Sequence, residues 1–231
     1  MESKIIIPKK FGNLVGILNK KSNTTLMVIC HGVGGSKDFP SIKKLADALW
    51  VKGFSVFRFD FSGVGESDGF FITTIDQEVQ DVGAVLNYFR AYKKIVLIGG
   101  SLGALSATLA ALQYSNVFAL ITINGFFGSP SLDIRHKVLF YTWRLLARVL
   151  PIFHQDNLLV TRDLQPENIS VPVLVICTNQ DRVVDYHQSV DFYDQLKTKK
   201  KLAILPLEKH NLRGRNDVAL VTNVIFNWKY L

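Results

Sequence analysis

The 231-residue chain is poor in the residues that staple or interrupt a fold. It has two cysteines, Cys30 and Cys177, too few for a disulfide framework. Each closes an apolar run (LMVIC and VLVIC), which reads as a buried, inert thiol. Only seven prolines and sixteen glycines occur against 48% hydrophobic residues, which excludes disorder as the main state. No uncharged apolar run reaches the length of a membrane span. The first residues, with Glu2 and Lys4, lack the apolar stretch and small-residue cleavage site of a secretory signal. These absences are read as a soluble, cytoplasmic protein.

Acidic residues are also the scarcer charge, 19 against 27 Lys and Arg, leaving +8. That excess attracts anions over a surface but does not by itself identify a nucleic-acid binder. The densest cluster, Lys197 with Lys199, Lys200 and Lys201, has no interleaved aromatics and reads as a solvated helix end. No nucleic-acid partner is expected. The histidines are scattered, with no His-Glu-x-x-His, and no phosphate-cradling glycine loop joins a strand to a helix. Neither a metal nor an organic cofactor is expected.

What is present is a rhythm. A chain this long can bury roughly 70–75% of its extended surface in one core. Lys4–Ile7 and Leu14–Leu18 read as an antiparallel pair, and Thr25–Cys30 as a strand apolar on both faces, as in a parallel sheet. Helix follows at Ile42–Trp50, with Ser41 as the expected cap, then strand Phe54–Phe59 and helix Thr74–Arg90, capped by Thr73, Thr74 or Asp76. Strand Lys94–Ile98, helix Leu102–Gln113 and strand Val117–Ile123 continue the alternation. After an irregular stretch it resumes with strand Val173–Thr178, a helix near His187–Leu196, strand Leu202–Leu205 and a helix over Asn216–Tyr230. Strands separated by such helices imply right-handed crossovers onto a mainly parallel sheet with helices on both faces. The whole of 1–231 is expected as a single α/β domain, with a small helical cap inserted at about 126–168.

In open α/β sheets, ligands bind beyond the carboxyl ends of the strands. Gly99-Gly100-Ser101-Leu102-Gly103 stands between a strand and a helix, as a G-x-S-x-G nucleophile elbow requires. Its glycines leave room where strand and helix would collide, and a helix N-terminus favours negative charge near the serine hydroxyl. A serine needs a base, and the base an orienting acid. His210 follows the last strand and is the candidate base; Asp181, after Val173–Thr178, is the candidate acid, with Asp185 its rival. The backbone N–H of Leu102 and that of Val33, in His31-Gly32-Val33-Gly34-Gly35-Ser36, are the candidate oxyanion donors. His31 reads as structural. Phe126, Phe127, Phe140 and Trp143 either line an apolar substrate pocket or face the core.

These segments, together with Arg58-Phe59-Asp60-Phe61-Ser62-Gly63-Val64-Gly65-Glu66-Ser67-Asp68-Gly69, resemble the α/β-hydrolase superfamily along about residues 5–230. The resemblance is to its small serine esterases, of the feruloyl/cinnamoyl-esterase and monoacylglycerol-lipase-like branch. It implies the α/β-hydrolase fold, a Ser101–Asp181–His210 triad, and an oxyanion hole from Val33 and Leu102. Asp60, Glu66, Ser67 and Asp68 are read as structural residues of the loops beneath the site. Two departures stand out: Gly100 precedes the serine where relatives often carry a bulky residue, and the 126–168 excursion is shorter than many caps.

The expected activity is hydrolysis of small or medium acyl or aryl esters through an acyl-enzyme. Thioester or amide cleavage by the same triad is the near alternative. A non-enzymatic ligand-binding protein on a hydrolase shell, or a basic lipid-surface or nucleic-acid adaptor, is the distant one.

Overall fold

The computed structural model describes residues 2–69, 74–127, 164–207, 210–214 and 216–231. The expected cap falls almost wholly on 128–163 and so lies outside the described residues, as do Phe140 and Trp143.

Eight strands form one sheet: β1 (Glu2–Pro8), β2 (Asn13–Asn19), β3 (Thr25–Cys30), β4 (Ser55–Phe59), β5 (Lys94–Gly100), β6 (Ala119–Ile123), β7 (Val173–Thr178) and β8 (Lys200–Leu205). Their spatial order is β1-β2-β4-β3-β5-β6-β7-β8. The β1–β2 and β2–β4 pairs are antiparallel, and every later pair is parallel. β3 and β5 sit at the centre, where unbroken apolar runs are buried on both faces. Alternate residues serve opposite layers. Leu26, Val28 and Leu97 face one cluster with Phe57, Val82 and Ala107, while Met27, Ile29 and Ile98 face the other with Leu49, Val221 and Trp228.

Five α-helices flank the sheet among the described residues: α1 (Pro40–Val51), α2 (Ile75–Tyr88), α3 (Leu102–Gln113), α4 (His187–Gln195) and α5 (Asp217–Phe226). α3 buries nine of its twelve residues, as its nearly all-apolar sequence requires. None of the described helices is long and apolar enough to cross a membrane.

Two local expectations need revision. Ser41 does not cap α1: the helix begins at Pro40, and Phe39 is its cap residue with no side-chain bond. Proline suits the first helical position because its missing N–H has no helical partner there. The lysine cluster is not only a helix end. α4 stops at Gln195, and Lys200 and Lys201 already belong to edge strand β8. Lys200 Nζ reaches back to the Tyr193 and Asp194 carbonyls at 2.8 and 3.2 Å, closing the end of α4. Charged residues along an edge strand also discourage pairing with another chain.

Of the caps offered for α2, Thr74 is the one used; its hydroxyl accepts from the Gln77 N–H at 3.1 Å. Thr74→Ala is expected to cost about 1 kcal/mol of stability, read from urea denaturation. An unchanged midpoint would mean that packing of α2, not its cap, sets this end.

Candidate active site

Ser101 stands between β5 and α3 with φ 53° and ψ −124°. Positive φ is costly for a residue with a side chain and persists only where its surroundings enforce it. They do so here. The Ser101 N–H donates to the Ile123 carbonyl at 3.0 Å, and its own carbonyl accepts from Ala104 and Phe126 N–H, each at 3.1 Å. A Cβ on Gly99 would lie 2.4 Å from the Gly103 carbonyl oxygen, and one on Gly103 would lie 2.4 Å from both the Cys30 and His31 carbonyl oxygens. The turn therefore closes only with glycine at both positions. Gly100 differs: its nearest neighbour would be the Ile123 carbonyl oxygen at 4.0 Å, leaving open space beside the serine.

Three non-glycine residues have positive φ among the described residues: Ser101, Asn124 (48°) and Leu212 (51°). All three belong to this site. Ser101 and Leu212 line one cavity of about 430 Å³. Asn124, nearly fully buried at the end of β6, donates from Nδ2 to the His210 carbonyl at 3.0 Å. Sequence reading missed Asn124. Its signal was the Asn-Gly pair closing an apolar strand, because asparagine tolerates the left-handed region better than most residues.

His210 and Asp181 meet after β8 and β7, with Nδ1 2.6 Å from Oδ2 and both side chains almost fully buried. The other carboxylate oxygen, Oδ1, accepts from Val183 and Val184 N–H at 2.8 and 3.2 Å, so the acid is held from both sides. Asp185, the rival acid, instead pairs with exposed His187 at 2.7 Å. Ser101 and His210 line the same cavity, and no hydrogen bond joins Ser101 Oγ to the imidazole among the described residues.

The loop after β3 forms the facing wall. Gly35 N–H donates to the Gly32 carbonyl at 3.0 Å, closing a turn with Val33 and Gly34 at its centre. Gly34 has φ +68°, which a second-position glycine supplies in a type II turn. Val33 is half exposed and lines the cavity. The Leu102 N–H begins α3, where no intrahelical acceptor exists for it. Gly32 packs directly on the serine: a Cβ there would lie 2.8 Å from Ser101 Cβ.

His31 is buried beneath this loop. Its Nδ1 donates to the Gly32 carbonyl at 2.9 Å, and its Nε2 accepts from the Phe61 N–H at 3.3 Å. Both nitrogens are thus committed to neutral-ring roles. Burial holds its pKa below the usual histidine range, while the Gly32 contact and Asp60 pull the other way. The thiols are also inert: burial, with Glu78 nearby, pushes Cys30 up, and burial with Asp181 nearby pushes Cys177 up to about 11.

The Arg58–Gly69 segment supports the site from below. Asp60 is fully buried and accepts from Lys37 N–H at 2.7 Å, Lys37 Nζ at 2.9 Å and Glu66 N–H at 3.1 Å. Burial alone would lower the Lys37 pKa, but the hydrogen bonds it donates to the Asp38, Asp60 and Glu66 carboxylates outweigh it and raise it. Ser67 donates to the Asp60 carbonyl at 2.6 Å and accepts from Val15 N–H at 2.8 Å. Asp68 Oδ2 accepts from Asn13 N–H at 2.9 Å.

The inner cavity wall is apolar, made by Ile29, Leu45, Ile98 and Ile123, all buried. Phe126 and Phe127 are not part of its described lining. Both pack against the core on the α3 side, and Phe127 stacks on Phe192 with centroids 4.0 Å apart. Among the described residues, no group of His, Cys, Asp or Glu gathers as a metal-ion set. A buried carboxylate–imidazole pair, a serine at a helix start and the Val33 loop meet at one cavity, with the Leu102 N–H free of a helical acceptor beside the serine; groups of these kinds can activate a hydroxyl and stabilise an oxyanion.

Comparison with known proteins agrees with this architecture. A family model described as "Serine aminopeptidase, S33" matches residues 21–167. No curated protein sequence matches the chain. Among solved structures, Est1E from Butyrivibrio proteoclasticus, determined with bound ferulic acid, is similar at 24% identity and TM-score 0.74, with 96% of each chain covered. The esterase Pf2001 from Pyrococcus furiosus is similar at 19% identity and TM-score 0.80, covering 99% of this chain and 91% of that one. A monoacylglycerol lipase from Paleococcus ferrophilus is similar at 18% identity and TM-score 0.74, covering 94% and 98%. At these identities the likeness is one of fold.

Proposed function

Because the chain belongs to the serine aminopeptidase S33 family of α/β-hydrolases, we propose that it is a serine carboxylester hydrolase acting on small or medium acyl or aryl esters. The observation that carries this reading is the strained Ser101, at φ 53°, opening α3 in the same cavity as the His210–Asp181 pair. His210 Nε2 takes the Ser101 proton as Oγ attacks the ester carbonyl. Val33 and Leu102 N–H groups meet the developing oxyanion. The imidazolium then protonates the departing alcohol, and the same base draws a proton from water to release the acid. Asp181 holds Nδ1 protonated so that Nε2 is the free base. The Ser101–His210 contact is one that closes when substrate fills the cavity, as such bonds commonly do.

Ester substrates are named in two of the three structural relatives above, an esterase and a monoacylglycerol lipase, and an apolar inner wall suits an acyl or aryl arm. The family description names an aminopeptidase, which must hold a substrate ammonium. Arg213 on the cavity wall opposes such a cation. Thioesters and amides remain near alternatives, separated by matched ester, thioester and anilide substrates.

A panel of p-nitrophenyl esters tests the reading. Ser101→Ala is expected to lose roughly 10⁴-fold or more of kcat. A fluorophosphonate probe is expected to label Ser101 in the parent protein. Equal rates for parent and variant, or no adduct at Ser101, would remove the serine from the mechanism and favour a binding shell.

A further inference from the structure

We infer that the cavity selects esters whose alcohol arm carries an anionic group, recognised by Arg213. The inference rests on the esterase reading above and adds a substrate class to it. Arg213 lies three residues beyond His210 on the same loop and lines the same cavity as Ser101. Its guanidinium carbon sits 5.1 Å above the Phe39 ring centre, and Phe39 is itself part of the wall. An aromatic face holds a guanidinium flat while leaving the N–H edges free for an oxyanion. Among the described residues Arg213 has no carboxylate partner.

The charges around it point the same way. The described lining contains no Asp or Glu, and its other ionisable groups are His31, committed to backbone partners, and His210, paired with Asp181. α1, whose first turn contributes Ser41 and Ile42 to the wall, has no acidic residue in that turn. Among the described residues, an anion in this cavity therefore meets one cation, Arg213, and no opposing carboxylate.

Burial assigns the arms. Ile29, Leu45, Ile98 and Ile123 are almost inaccessible and form the inner wall, while Arg213, Asn211, Val33 and Val183 are exposed and form the rim. The acyl group stays bonded to Ser101 while water attacks, and the alcohol must leave first. The departing arm therefore faces the rim, where Arg213 stands, and the retained arm fills the apolar interior. The anion can be a carboxylate or a phosphate; both offer the paired oxygens that a guanidinium fork accepts.

The test compares butyrate esters of 4-hydroxybenzamide, 4-hydroxybenzoate and 4-hydroxyphenyl phosphate. The readout is the ratio of kcat/KM for each anionic ester to that for the neutral amide. The parent protein is expected to prefer at least one anionic ester by about tenfold, less at high ionic strength, and the larger ratio names carboxylate or phosphate. In Arg213→Gln that ratio is expected to fall to about one, and Arg213→Lys, which keeps the charge without the fork, to lie between. No anionic preference in the parent, or a preference that survives Arg213→Gln, overturns the inference while leaving the esterase intact. Turnover of none of the three, with Ser101 unlabelled by fluorophosphonate, overturns the esterase reading and this inference together.

Discussion

Asp181→Asn is expected to lower kcat on a p-nitrophenyl ester by roughly 10⁴-fold while leaving the fold in place. Asp181 Oδ2 lies 2.6 Å from His210 Nδ1, and Oδ1 is tied to the Val183 and Val184 N–H groups. Those two amides require an acceptor, so the asparagine amide oxygen stays on them and its NH₂ turns toward the imidazole. Nδ1 must then accept rather than donate, which puts the ring proton on Nε2. A protonated Nε2 cannot take the Ser101 proton. Asp185→Asn is the matched control, because Asp185 pairs with exposed His187 outside the cavity lining. Its rate is expected within about twofold of the parent, as for surface changes generally. Equal losses in the two variants would reassign the acid.

Gly103→Ala is expected to cost about 3 kcal/mol of stability, a large part of what holds a typical domain folded. The added methyl would meet two backbone carbonyl oxygens, of Cys30 and His31, at 2.4 Å each. Neither belongs to a flexible side chain, so α3 must move away from the end of β3. A shift in the urea midpoint at constant slope is the measurement. Gly100→Ala, three residues earlier, is expected within about 1 kcal/mol of the parent because its methyl meets nothing closer than 4.0 Å. A similar loss in both would mean that glycine flexibility, not the close approach of α3 to the β3 loop, governs this turn.

The contrast between those glycines marks where sequence reading stops. The pentapeptide Gly99–Gly103 announces a turn, and its place between an apolar strand and an apolar helix identifies its type. Which glycine is obligatory depends on what lies across from each Cα, and Cys30 and His31 are some seventy residues away along the chain. The same holds for the acid. Asp181 and Asp185 both follow β7, and only the fold shows that one reaches His210 and the other His187. Phe126 and Phe127 illustrate the reverse: their apolar character suits a pocket or a core equally, and only the fold shows both packed against the core cluster and Phe127 stacked on Phe192 of α4.

Periodicity, strand–helix alternation and turn chemistry are local, so the amino-acid order alone determined the α/β architecture, the elbow around Ser101 and the candidates for its partners. Strand order, the meeting of Asp181 with His210, the support from Asn124 and the perch of Arg213 on Phe39 were decided only by the tertiary structure. The physical reason is range. A hydrophobic pattern acts over one or two turns of chain, whereas hydrogen bonds, excluded volume and charge act between whichever groups the packed sheet and helices bring within a few ångströms.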